Sequence, residues 1–149
     1  MNPLSEGGTM ALSWLKLKHQ PTRLFGPAEY LKAKIETEIS PDELKLATDF
    51  DPATIYLIDV RERAAFEREH VRGAVTIPLA HLGEWIESLP RGKPLVAYGW
   101  DMTCKLALQA ALEMTLAGYP ARVLAGGIDE WKRKGFPVEK GASAPPPAA

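Results

Sequence analysis

The single cysteine of the chain, Cys104, closes the segment Gly99-Trp100-Asp101-Met102-Thr103-Cys104, which separates an apolar run at 94–97 from a long helical pattern. A loop between a buried strand and a helix start is where many α/β proteins hold an anion or a nucleophile. Two readings of Cys104 are open. Next to Lys105 and at the head of a helix, the dipole and the lysine charge would favour the thiolate, the nucleophilic form of sulfur. Alternatively, a semi-buried cysteine at a loop end serves as a small apolar filler. Met102, Leu106 and Leu108 make the setting apolar, so slow alkylation of the native thiol is expected.

Other groups suggest chemistry less strongly. Asp59 and Arg61, at the end of an apolar run, read as a strand-end ion pair that supports the loop rather than as reacting groups. His70 is of a residue type that could serve as a base, but a histidine in such a turn more often bonds to backbone. Gly126-Gly127 reads as a tight turn, since it lacks the GxGxxG spacing of a phosphate loop. Trp131 is assigned to the core. Trp100, if exposed, offers a contact surface for a protein partner. One cysteine excludes an internal disulfide and a cysteine-cluster metal site, and neither metal nor cofactor is expected.

The elements that must position these residues alternate. Pro27 opens a helix over 27–34, followed by an extended stretch at 36–39. Ser40-Pro41-Asp42-Glu43 is a capping box that starts a helix through 47. Residues 54–60, TIYLIDV, form a β-branched apolar strand. A charged helix covers 61–69, a short strand 73–77, and a helix from Pro78 carries Leu79, Leu82, Trp85 and Ile86. A buried strand spans 94–98. In the helix at 105–117, Lys105, Gln109 and Glu113 recur every four positions among apolar residues, which predicts a nearly buried helix with one wet stripe. A last strand at 122–124 leads through Gly126-Gly127 into a helix ending near Lys134. Five or so strands alternating with helices predict an α/β fold, an open and mostly parallel sheet with helices on both faces. Its ligand positions lie at the carboxyl ends of the strands, near Val60-Arg61, Tyr98-Gly99 and Ala125-Gly126-Gly127.

The 149 residues suit one domain with a genuine core, and 46% hydrophobic with 25% charged residues is a globular composition. A net charge of −1 provides no field for nucleic acid or an anionic membrane. No apolar stretch is long enough to span a bilayer, and the N-terminus lacks the pattern of a secretory signal, so a cytoplasmic protein is expected. Segment 11–17, with Trp14, Leu15 and Leu17, is expected to pack on the domain or a partner. The tail 141–149, GASAPPPAA, is expected to be disordered.

Four parts of the chain, in order, resemble the rhodanese-like (sulfurtransferase) domain family: SPDELK at 40–45, LIDVRERAAFEREHVRGAVTIPL at 57–79, PLVAYG at 94–99 and AGYPARVLAGGIDEWKRKGFPVE at 117–139. The resemblance runs from about residue 27 to 139. It implies a sheet of about five parallel strands, and in active members a six-residue loop that begins with a nucleophilic cysteine. That thiol takes a sulfane sulfur from a donor such as thiosulfate, holds it as a persulfide and passes it to an acceptor. Loop amides and the following helix dipole stabilise the charged sulfur.

At the nucleophile position this chain has Gly99, which carries no atom able to hold sulfur. Cys104, the last loop position, matches an accessory cysteine of some members. Phosphatase and arsenate-reductase relatives need a cysteine opening a longer loop that ends in arginine, and the chain has neither. Asp101 adds negative charge to a loop that would otherwise cradle an anion. The expected organisation is an N-terminal arm at 1–26, a rhodanese-like domain at 27–140 and the tail at 141–149. The expected function is a binding or regulatory module without ordinary thiosulfate sulfurtransferase activity. The alternative is a sulfurtransferase or sulfur carrier acting through Cys104, with Asp59, Arg61 and Lys105 supporting the loop. Expected partners are a sulfane-sulfur donor or small anion at 99–104, and a protein reached through the N-terminal arm or Trp100. A further reading makes the chain an enzyme subunit tethered by that arm.

Overall fold

The computed structural model describes residues 26–142, and the chain divides into two compact units, residues 1–36 and 37–149. Segment 11–17 and nearly all of the 141–149 tail lie outside the described residues. The described part of the first unit is Gly26 and helix α1 (Pro27–Thr37) up to Glu36, and no residue of that helix is buried. The Gly26 N–H that opens it donates to Glu29 Oε2 at 2.8 Å. The helix continues past the expected end at Lys34, supported by a Lys32–Glu36 pair one turn apart at 3.8 Å. The extended stretch expected at 36–39 therefore shrinks to two residues.

The second unit carries strands β1 (Glu38–Ile39), β2 (Tyr56–Asp59), β3 (His70–Val71), β4 (Val75–Thr76), β5 (Leu95–Tyr98), β6 (Ala121–Leu124) and β7 (Val138–Glu139). Five of them form an all-parallel sheet in the order β1-β6-β5-β2-β4, as the alternating pattern predicts. The remaining two, β3 and β7, pair antiparallel as a separate ribbon. Helices α2 (Pro41–Phe50), α3 (Arg63–Arg68), α4 (Leu82–Trp85), α5 (Leu106–Leu116) and α6 (Gly127–Arg133) connect them. The capping box forms at α2: the Glu43 N–H donates to Ser40 Oγ at 3.2 Å, and the Ser40 N–H donates to Glu43 Oε2 at 2.8 Å. The helix expected after Pro78 breaks into a short α-helical turn between two 3₁₀ turns, Leu79–His81 and Ile86–Ser88.

Successive strand residues point to opposite faces of the sheet, and both faces are covered. Leu57, Val96 and Tyr98 join Leu44, Phe66, Ile128 and Trp131 in one core. Ile58, Leu95 and Ala97 join Leu82, Ala107, Ala110 and Met114 in the other. The expectation of a nearly buried α5 is corrected here. Only Ala107, Ala110, Ala111 and Met114 are buried, while Leu108, Leu112 and Leu116 are 54%, 59% and 79% exposed. Three alanines bring the helix close to the sheet along a narrow strip, which leaves the leucine row outside. Among the described residues no helix is long and apolar enough to cross a membrane.

Candidate functional site

Strand β5 ends at Tyr98 and α5 begins at Leu106, so the 99–104 loop stands at the carboxyl end of the sheet. Its main chain is latched by α6. The Ile128 N–H donates to Gly99 O at 3.1 Å, and the Asp129 N–H donates to Trp100 O at 3.0 Å. The approach is close enough to require glycine at 127. That residue has φ +59°, and a Cβ there would lie 2.7 Å from Gly99 O and 2.8 Å from the Trp100 carbonyl carbon. The Gly126-Gly127 turn thus packs helix against loop, and the Ile128 and Asp129 amides that follow it serve the loop's own carbonyls.

The loop is also bonded within itself, by the exposed Asp101. Its Oδ1 accepts from the Thr103 N–H at 2.7 Å, the Thr103 hydroxyl at 2.7 Å and the Cys104 N–H at 3.1 Å. This is the local pattern in which an aspartate bonds amides two and three residues ahead. Bonds from the Thr103 side chain and then its amide hold the Asp101 carboxyl below its ordinary range, with Cys104 adding to the same effect. Donors of the kind that would stabilise an anion in this loop are therefore engaged by a carboxylate of the loop itself.

Gly99 and Cys104 meet across the turn. A Cβ built on Gly99 would lie 2.9 Å from Cys104 Sγ and 3.7 Å from Leu106 Cβ. The half-buried cysteine sulfur thus borders the space that a side chain at 99 would enter. Lys105 is exposed, and its side chain makes no capping hydrogen bond.

Beside the loop, the β2–β5 register sets Asp59 against Tyr98. Asp59 is fully buried and Arg61 is 2% exposed. Arg61 Nε lies 3.0 Å from Asp59 Oδ1, and its Nη2 donates to Asp59 Oδ2 at 2.7 Å and to Glu69 O at 2.7 Å. The Tyr98 hydroxyl donates to Asp59 Oδ2 at 2.7 Å and accepts from the Val71 N–H at 3.0 Å. Burial alone would lower the Arg61 pKa, but the Asp59 bonds outweigh it and the guanidinium is held more firmly charged than usual. Burial, reinforced by the Asp59 charge, pushes the Tyr98 phenol far above its ordinary value. The Arg61 guanidinium stacks over the Trp100 ring at 4.6 Å from its centroid, tying this rim to the loop.

The rhodanese-like domain model matches residues 40–134. The chain belongs to the rhodanese-like domain family. It is 33% identical over 88 residues to the HTH-type transcriptional regulator Rv0324 of Mycobacterium tuberculosis, across 59% of this chain and 39% of that protein. The chain therefore spans about two fifths of that curated relative. Among solved structures, the BH2092 protein from Bacillus halodurans superposes with a TM-score of 0.71 at 25% identity, covering 74% of this chain and 82% of that one. The thiosulfate sulfurtransferase from Pseudomonas aeruginosa gives a TM-score of 0.62 at 26% identity, covering 70% of this chain and 20% of that one.

Within this rhodanese-like domain, the structure brings the 99–104 loop, Asp59 and Arg61 to one end of the sheet, while Lys105 is exposed and makes no ion pair among the described residues. Trp100 is 40% exposed and Met102 is 86% exposed. His70 Nδ1 sits 2.8 Å from Phe66 O, so its ring bonds main chain, and Trp131 is core. Tyr98 and Gly127 fall at strand ends the sequence marks as ligand positions, but their contacts escaped the sequence reading. Tyr98 looked like the end of an apolar strand, although a tyrosine there needs a partner for its hydroxyl. Gly127 was read as turn chemistry, although consecutive glycines before a helix also signal close backbone approach.

Proposed function

We propose that this rhodanese-like domain is a binding or regulatory module that does not run ordinary thiosulfate sulfurtransfer at the first loop position. The observation carrying this reading is the filled loop: Gly99 presents no sulfur, and Asp101 bonds the Thr103 and Cys104 amides. Covalent sulfur transfer needs a nucleophilic atom and an anion-stabilising cradle. The first is missing at 99, and a carboxylate already uses donors of the second. The likeness of the domain to part of a protein named as a transcriptional regulator fits such a role. In a cyanide-dependent thiosulfate assay, turnover at background level, unaltered by Cys104→Ser, is expected. Turnover like that of an active sulfurtransferase, abolished by Cys104→Ser, would overturn the reading.

A second reading, sulfur carriage by Cys104, is favoured by the position of its sulfur, 2.9 Å from where a Cβ at 99 would stand. The likeness to a protein named as a thiosulfate sulfurtransferase supports it. In this reading the Cys104 thiolate attacks the outer sulfur of thiosulfate. The new S–S bond forms on Cys104 as the S–S bond of thiosulfate breaks, and sulfite leaves with the electron pair. Mass spectrometry after thiosulfate treatment separates the readings by a gain of one sulfur on Cys104.

A further inference from the structure

Helix α5 presents two parallel rows to solvent. One is apolar, Leu108, Leu112 and Leu116, each more than half exposed. The other is Lys105, Gln109 and Glu113, all exposed, with Lys105 already helical in its backbone. Among the described residues neither Lys105 nor Glu113 takes part in an ion pair, whereas α2, α3 and α6 each carry at least one. Both rows step by four residues, so they lie side by side along one face.

We infer that this face is the contact surface for a second copy of the chain, with two α5 helices packed antiparallel about a twofold axis. The order of residues in the polar row carries the inference. An axis relating two antiparallel helices across their contact places the same flank of each on the same side. The two polar rows then run in opposite directions alongside one another. With the axis at Gln109, Lys105 of each copy meets Glu113 of the other and the two glutamines face each other. Lys105 and Glu113 are eight residues apart, about 12 Å along the helix, so both pairs form in one register. In that register Leu108 and Leu112 of the two copies interleave along the seam, removing from water the apolar surface that α5 exposes alone. Such self-complementarity is what a twofold interface requires. One helix of 11 residues gives a small interface, so a reversible, concentration-dependent dimer follows. The two 99–104 loops would stand at opposite ends of the helix pair, open to other partners.

Sedimentation equilibrium of the full chain, from micromolar to near-millimolar concentration, tests this. Wild type is expected to pass from monomer to dimer across the range. Leu112→Glu should raise the dimer Kd about tenfold or more, with an unchanged circular dichroism spectrum because position 112 is exposed. Lys105→Glu alone should weaken association, and combining it with Glu113→Lys should restore it. A wild type that stays monomeric throughout would overturn the inference and leave the face to a different partner. So would a dimer indifferent to Leu112→Glu, or a double charge reversal no tighter than the single one.

Discussion

At the carboxyl end of the sheet, Asp59 is fully buried and gripped by Arg61 and the Tyr98 hydroxyl, whereas Asp101 stands in solvent and bonds only its own loop. Both are aspartates satisfied by several donors, yet they couple to different things. Asp59 joins residues from two strands and, through Arg61, the carbonyl of Glu69, so its bonds are bonds between elements. Asp101 reaches no farther than Cys104, so its bonds shape a few residues of chain. A carboxylate at a strand end stabilises the domain when burial makes its partners depend on it. The same group in water sets local conformation and little else.

The most severe way to break this comparison is Asp59→Ala. It strands a buried guanidinium and takes the acceptor from the Tyr98 hydroxyl, with an expected loss of about 3–5 kcal/mol. Urea unfolding should show that loss as a lower midpoint, and a loss within error would mean the rim does not bear on stability. Gly127→Ala comes next. Its Cβ would press on backbone at Gly99 and Trp100, and a strained positive-φ alanine costs on the order of 1–3 kcal/mol. A downward shift in Tm together with altered Trp100 fluorescence is expected. Unchanged values in both would deny the latch.

The smallest effect is Asp101→Asn. At neutral pH the urea midpoint should stay where it is while the Thr103 and Cys104 amide resonances move. The sign in acid follows from the lowered Asp101 pKa. Its ordering of the loop is complete above the ordinary carboxylate pKa and is lost as pH falls through the lower folded-state value. An acid titration of the Thr103 amide should show a midpoint below the usual carboxylate range, absent in the variant. A midpoint at the ordinary value would remove the contrast with Asp59.

Legibility followed the range of the interactions. The β-branched apolar run at 54–60 and the apolar run at 94–98 announced the buried parallel strands found at 56–59 and 95–98, and Ser40 with Glu43 announced a helix start, because both signals are local. The ribbon of His70–Val71 with Val138–Glu139 was missed: each strand is two residues long, and its partner lies far along the chain. The leucines of α5 were read as core because apolar periodicity identifies a face without saying whether anything covers it. The loop's limits were visible from the strand, the helix and Cys104. What fills it was only partly visible, since the pairing of Asp59 with Tyr98 depends on strand register and the meeting of Gly99 with Cys104 on how tightly the turn closes.

The latch between α6 and the loop joins main-chain amides to main-chain carbonyls, so it depends on the length of the loop and scarcely on what the loop carries. Replacing the side chains at 102 or 103 leaves those bonds in place and a side chain added at 99 has to displace Cys104 Sγ, whereas inserting or deleting a residue at 99–100 changes which carbonyls meet the Ile128 and Asp129 amides. The architecture thus separates two kinds of heritable change. Point substitutions can remove or install reactive groups in a frame that keeps its shape, while changes of length dismantle the frame. A library varied at these positions with the length held constant would sample new ligands on an already folded scaffold.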